Sequence, residues 1–218
     1  MMYNKKLYAP PRACQLGSRE MARRRLSPQQ RRDELLDVGA AMFAEKPYDE
    51  VLIEDVADRA GVTRSLMYHY FPNKRDFYIA IFARASDRLL ASTEHREDRS
   101  LAELLTTGLD AHIQYFVDHP LEAVTVNRGA LSDDPAIQAI ITEELNMVGR
   151  RLIEGLSLHG HDHEFAELAV HGWLVFVRAV CVEWVQTRKI SRAELTQMCL
   201  RAFTGALQPA VDLDAVIG

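Results

Sequence analysis

The stretch Asp55–Lys74, DVADRAGVTRSLMYHYFPNK, decides how the rest of the chain is read. Ile53, Val56, Ala57 and Ala60 recur at helical spacing, so this segment buries one face of a short helix. Gly61 follows directly, the residue best able to take the left-handed turn that ends a helix. Thr63 can cap a second short helix with its hydroxyl, and that helix runs to Tyr70 or Phe71. Two short helices about a glycine-containing turn make a helix-turn-helix, whose second helix enters the major groove of double-stranded DNA. Small Ala57 lets the helices approach, and Val62, Met67 and Phe71 tie the second one to a core. Arg64, Ser65, Tyr68 and His69 remain as the outward polar and aromatic set.

Upstream, Ser27-Pro28-Gln29-Gln30 reads as a helix start: Ser as N-cap, Pro in the first helical position, Gln closing a capping box. Leu35, Leu36, Gly39, Ala40, Met42 and Phe43 line one face of that helix to about Glu45, which completes a three-helix unit over residues 27–73. Residues 1–26 lack helical periodicity and read as a flexible basic arm, within which Met21 is an alternative start.

Downstream, Pro72 stops the second helix and Asn73 caps a long fourth one carrying Phe77, Ile81, Phe82, Leu89 and Leu90. Its first turn presents free backbone N–H groups where a phosphate can sit. Four further helices follow. A Ser100/Glu103 box opens one that runs to His119, a shorter one spans Leu121–Leu131, and a long one spans Ala136–Leu158. The most apolar spans Glu164–Arg188. A Ser191/Glu194 box then opens a last helix to about Leu207. No strand pattern survives, so the chain is expected to be all-α, with residues 74–218 as a second, helical domain.

The composition, 48% hydrophobic and 26% charged over 218 residues, is that of a globular protein. Net charge misleads if taken whole. The chain is −5, but residues 1–32 hold nine Lys/Arg against one acid, so the other 186 residues carry −13. A basic arm before the motif and an acidic remainder fit a DNA reader with a separate sensor. Three scattered cysteines form no CxxC, which favours a reducing, cytoplasmic setting over a disulfide framework. Leu168–Val185 is apolar but interrupted by His171, Arg178 and Glu183, so it reads as a buried helix and not a membrane span.

VADRAGVTRSLMYHYFPNKRDF resembles the tetracycline-repressor (TetR) family of one-component transcription regulators, with weaker similarity back to about Pro28. The family pattern, Ile/Val-Ala, then Ala-Gly-Val-Ser/Thr, then Leu-Tyr-x-Tyr-Phe-x-x-Lys, is met almost position by position. Val51-Leu52 departs from it where Thr or Ser often caps the first helix, as does Lys46-Pro47 where Gly is common. The resemblance implies a DNA-binding regulator that is a repressor released from a palindromic operator by an unknown small-molecule effector. It also implies a homodimer built through the last two helices. Thr63, Tyr70 and Lys74 match positions that grip phosphates. Arg64 can present a bidentate fork to guanine, and Ser65, Tyr68 and His69 lie within reach of base edges or phosphates.

In the second domain, His112 and Arg178 interrupt apolar faces, and a polar group on such a face can orient a ligand in a greasy pocket. Tyr115, Phe116 and Trp173 accompany them as candidate ligand contacts; the bland alternative is a satisfied core residue. Trp173, Phe176, Val180 and Trp184 form one apolar stripe. Leu195, Met198, Cys199, Ala202, Phe203 and Ala206 form another; they either fill the monomer core or build the dimer face. His159, His161 and His163 with Asp162 invite a metal reading, but their neighbours favour a loop and no complementary ligands stand at recognised spacing. No GxSxG, Walker loop, GxGxxG or HExxH is present, so no catalytic residues, metal or cofactor are expected. The rival readings are a small-molecule carrier or enzyme with a vestigial helix-turn-helix, and an architectural DNA binder, which would be basic throughout.

Overall fold

A computed structural model of the chain describes residues 26–92, 100–156 and 158–208. The arm expected over residues 1–26 lies outside them apart from Leu26, as do Met21 and Cys14. All regular elements among the described residues are helical. They run Pro28–Glu45 (α1), Ile53–Arg59 (α2), Arg64–Tyr70 (α3), Lys74–Ser92 (α4), Leu101–Asp118 (α5), Pro120–Asn127 (α6), Pro135–Leu156 (α7), Gly160–Thr187 (α8) and Arg192–Leu207 (α9), with a single 3-10 turn at Tyr48–Glu50.

The helix starts follow from local chemistry. Ser27, Ser100 and Ser191 each accept the backbone N–H three residues on, while Gln30, Glu103 and Glu194 reach back to the cap N–H. Thr63 Oγ1 accepts the N–H of Leu66 at 3.2 Å, and Asn73 Oδ1 that of Asp76 at 2.8 Å. The α2–α3 turn closes as expected for a glycine stop. Val62 N–H donates to the Ala57 carbonyl and Gly61 N–H to that of Asp58, with Gly61 at φ +65°. Leu52 stands at the N-cap of α2 with no side-chain hydrogen bond.

Three boundaries differ from the sequence reading. α6 ends at Asn127, four residues short of Leu131, and α7 ends at Leu156. The histidine segment is not a loop: His159 is the N-cap of α8 and His161 and His163 lie in its first turns. At about 100° per residue those two side chains diverge, so the alternation that would align them on an extended segment separates them on a helix.

Two apolar cores organise the chain. The first gathers Leu35, Leu36 and Phe43 of α1, Val56 and Ala57 of α2, Met67 of α3 and Phe71 beyond it. It also takes Phe77, Tyr78 and Ile81 from the start of α4, and Val126, Leu131, Ile137 and Ile141 from α6, α7 and their connection. The second core packs α5, the end of α7, α8 and α9 around Leu105, Ile113, Leu152, Trp173, Val177, Cys181, Leu195 and Phe203. α8 is long and apolar enough by composition to cross a membrane. It is instead the central strut of this bundle, touching α5, α6, α7 and α9, and it buries the charged Arg178.

Gly39 fixes the approach of α1 to α4. A Cβ built there would lie 2.2 Å from Cζ and 2.5 Å from Cε1 of Phe77, and 2.8 Å from Cδ1 of Ile81. The Phe77 ring is fully buried and meets Phe71 at 4.7 Å between centroids, so it has no free direction in which to yield. Gly39→Ala is therefore expected to destabilise the protein by about 1–3 kcal/mol of overpacking, partly offset by about 1 kcal/mol of helix propensity. A lowered midpoint in thermal or urea melting checks this; an unchanged or raised midpoint would show that Phe77 moves aside.

Candidate DNA-reading face and buried polar cavity

α3 exposes Arg64, Ser65, Tyr68 and His69 and buries Met67 completely. Thr63, as N-cap, uses a hydroxyl lone pair on Leu66 N–H and keeps its own proton to donate. Tyr68 hydroxyl donates to Glu54 Oε1 of α2 at 2.7 Å, which aims the ring across the motif; that hydrogen bond holds the Glu54 carboxyl below its usual range. Tyr70 is half-buried, its ring 5.5 Å from that of His69. Lys74 Nζ donates to the Tyr48 carbonyl at 3.0 Å and sits 4.4 Å from the centre of the Tyr48 ring. Its ammonium has three donors, so this leaves two for a phosphate. The seven predicted DNA contacts thus fall on α3 and its two flanks. Glu54 and Tyr48, which orient two of them, escaped the sequence reading because they act across 14 and 26 residues.

The face is anchored behind by Arg75, whose guanidinium grips Asp134 at 2.5 and 2.9 Å. Asp134 Oδ1 also accepts the N–H of Ala136 at 2.9 Å, capping α7. One carboxylate therefore joins the start of α4, beside α3, to the start of α7.

The five predicted ligand contacts do not share one pocket. His112 and Trp173 line a cavity of about 70 Å³ between α4, α5, α7 and α8, with Leu105, Leu109, Leu152 and Glu144 among its other walls. Tyr115 faces a separate groove of about 560 Å³ between α1, α4, α5 and α6. Phe116 and Arg178 are buried and line neither, the Arg178 guanidinium 6.0 Å from the Phe116 ring centre.

Around them lies a polar layer drawn from five helices, with Ser86, Glu144 and Arg178 buried and Tyr115, Glu122 and Asn127 half-buried. Arg178 Nε donates to Asn127 Oδ1 at 2.9 Å and its guanidinium faces Glu144 at 3.8 Å; Ser86 hydroxyl donates to the other Glu144 oxygen at 3.2 Å. Tyr115 hydroxyl donates to Glu122. The carboxylate Glu183, which the sequence offers as a partner for Arg178, is exposed and pairs with Arg128 at 2.8 Å instead. Burial lowers the His112 imidazole to about 3, with the Arg178 charge acting the same way, so His112 is neutral. Burial likewise raises the carboxyls of Glu144 and Glu122, the latter to about 7, against the pull of Tyr115 and Arg178. Glu144 was missed although it carried a signal: it interrupts the Ile137, Ile141, Val148 stripe as His112 interrupts that of α5.

The aromatic residues expected at a dimer face are core. Trp173, Trp184 and Phe203 are 6%, 6% and 1% exposed. The two indole N–H groups are spent within the chain, on the Cys199 and Ile190 carbonyls at 2.8 and 2.7 Å. The outward faces of α8 and α9 carry Leu168, Val175 and Met198, which are 76%, 46% and 38% exposed.

The arrangement is a helix-turn-helix unit docked on a helical bundle with an internal cavity. Residues 35–81 match the family model of bacterial regulatory proteins of the tetR family. The HTH-type transcriptional repressor KstR2 of Rhodococcus jostii is 30% identical over 104 residues, 47% of each chain. A tetR-family transcriptional regulator from Streptomyces coelicolor superposes with a TM-score of 0.77 at 25% identity, covering 88% of this chain and 87% of that one. The regulator FadR from Bacillus subtilis, solved in complex with stearoyl-CoA, gives 0.60 at 20% identity, over 80% and 97% of the two chains. Residues 35–81 thus carry the tetR-family match, and the proteins named here to which the chain is similar are transcriptional regulators. The chain spans about half the length of the curated relatives it matches.

The half-buried Glu122 on the groove wall makes a pH prediction. Glu122 holds its proton more tightly folded than unfolded, so its contribution to stability is complete below about pH 4.5 and lost as pH rises through about 7. Glu122→Gln should remove a fall on the order of 3 kcal/mol across that window. Urea melts at several pH values check it, and parallel curves for the two proteins would place the titration elsewhere.

Proposed function

We infer that the protein is a sequence-specific, DNA-binding transcriptional regulator, a repressor that leaves a palindromic operator when a small molecule occupies its second domain. The observation that carries this reading is the recognition helix: a seven-residue α3 whose buried Met67 fixes it to the core while Arg64, Ser65, Tyr68 and His69 stand free of it. Arg64, with Ser65, Tyr68 and His69, reads base edges; Thr63, Tyr70 and Lys74 hold phosphates. Residues 27–73 serve as the DNA-binding domain and 74–218 as the effector and dimerisation domain, in a cytoplasmic protein with no catalytic role.

The effector occupies the cavity beside His112 and Trp173, with Tyr115, Phe116 and Arg178 as the layer behind it. α7 contributes Glu144 and Leu152 to that cavity and, through Asp134 at its start, holds Arg75. An effector that prefers one position of α7 thereby shifts the recognition helix and the spacing between two copies of it. Two copies join through the outer faces of α8 and α9, around Leu168, Val175 and Met198. A dimer doubles the base contacts that one small motif offers.

Recovering and sequencing the DNA bound by the protein tests the reading at its root; recovery of random sequence would overturn it. On the recovered site, Lys74→Ala should weaken binding to all DNA alike and make the salt slope shallower by about one unit. Arg64→Ala should cost about 1–3 kcal/mol on that site and little on random DNA. For assembly, Val175→Arg should move the mass measured in solution from dimer to monomer with the melting midpoint little changed. A wild type already monomeric at micromolar concentration removes the dimer from the account.

A further inference from the structure

The cavity between α4, α5, α7 and α8 holds a polar atom that the fold leaves unserved. His112 is on its wall, and Nε2 of His112 is buried without a hydrogen-bonding partner in the protein. A buried polar group left in that condition destabilises the fold, so a fold that keeps it gains something from a group that can meet it. The rest of the wall is dominated by Leu105, Leu109, Leu152 and Trp173, and the Trp173 N–H is already given to the Cys199 carbonyl. The charged groups nearby are committed as well. Arg178 is held by Glu144 and Asn127, Glu144 also by Ser86, and Arg151 at the cavity edge donates to the Leu90 carbonyl at 3.1 Å.

We propose that this cavity takes a small, neutral, mainly apolar molecule bearing a hydroxyl, which pairs with Nε2 of His112. The proposal rests on the effector reading above and names the chemistry of its ligand. A carboxylate or phosphate there would be set against Glu144, and the nearby guanidiniums are engaged. An ammonium would be stripped of water next to Arg178. A hydroxyl suits either tautomer of a neutral imidazole, donating to a bare Nε2 or accepting from a protonated one, and is the smallest organic group that does both. The volume, about 70 Å³, corresponds to two or three waters at about 30 Å³ each. It therefore seats the hydroxyl and the first carbons of a ligand whose remaining apolar part parts the leucines.

The test uses the full chain and three probes that share one alkyl group: 1-hexanol, hexanoate and hexylammonium. Binding is read by thermal shift and calorimetry, and at the atom concerned by the side-chain ¹⁵N resonances of His112 in the wild type. The expected result is that 1-hexanol raises the melting temperature and moves the His112 resonances while the two ions do neither. His112→Leu, of similar volume, should lower 1-hexanol affinity roughly two- to tenfold, the value of one hydrogen bond. The ¹⁵N reading stands whether or not that variant folds. Hexanoate or hexylammonium binding as well as 1-hexanol overturns the proposal, as does 1-hexanol binding with His112 unmoved, or no binding by any probe, the result if the cavity holds water only. The same titrations are repeated on the DNA segment recovered from the bound pool. If 1-hexanol binds at His112 and DNA affinity does not change, the ligand chemistry is upheld and the effector reading is what fails.

Discussion

The contact of the Phe77 ring with Gly39 is the constraint on which the helix-turn-helix face depends. A helix of seven residues has no stability of its own in water, because nucleation costs more than so few hydrogen bonds return. α3 exists because Met67 and Phe71 are held against a surface, and that surface is α1 and the start of α4 locked together through Gly39, Phe43 and Phe77. Each fully buried side chain of this size contributes about 1.5–3 kcal/mol relative to exposure. The glycine costs α1 about 1 kcal/mol of helix propensity, and the close approach of Phe77 offsets it.

The second half of the chain is held differently. Its core is apolar, but a layer of Arg178, Glu144, Glu122, Tyr115, Asn127 and Ser86 runs through it. A buried ion pair of this kind returns little net stability compared with apolar packing, and removing one partner is severe. What the layer does supply is discreteness. Its members come from α4 to α8, and every polar partner must be matched, so the helices have few acceptable relative positions. Bundles with few positions are suited to switching, in which a ligand biases one of two packings instead of deforming a single one.

How much of this was legible in the sequence depends on range. The three capping boxes, the Thr63 and Asn73 caps and the Gly61 turn involve residues a few positions apart, and the sequence reading located all of them. Met67 and Phe71 as anchors followed from periodicity. The Tyr68–Glu54 and Lys74–Tyr48 contacts span 14 and 26 residues and have no local signature. The tryptophans were harder for another reason: an apolar stripe is the same pattern whether a neighbouring helix or a second molecule covers it. Trp173 and Trp184 meet their own chain, and the outward positions hold Leu168 and Val175 instead. Three alternating histidines fitted a loop by their turn-forming neighbours, yet the apolar run behind them draws His161 and His163 into α8.

The first core bears on how such proteins can be recombined. Its walls include Phe77, Tyr78 and Ile81 from α4 and Val126, Leu131, Ile137 and Ile141 from far along the chain. The helix-turn-helix part is therefore not a cassette that can be cut at Asn73 and exchanged. A chimera joined there would set a foreign first helix against the Phe77 ring, which fits here because residue 39 is glycine, and against four aliphatic side chains shaped for another surface. Exchange becomes conservative only when the first two turns of α4 travel with the motif and the facing side chains of α6 and α7 are matched to it. Change in the motif is thus least constrained at its outward residues, while its inward ones are tied to the side chains of α6 and α7 beneath.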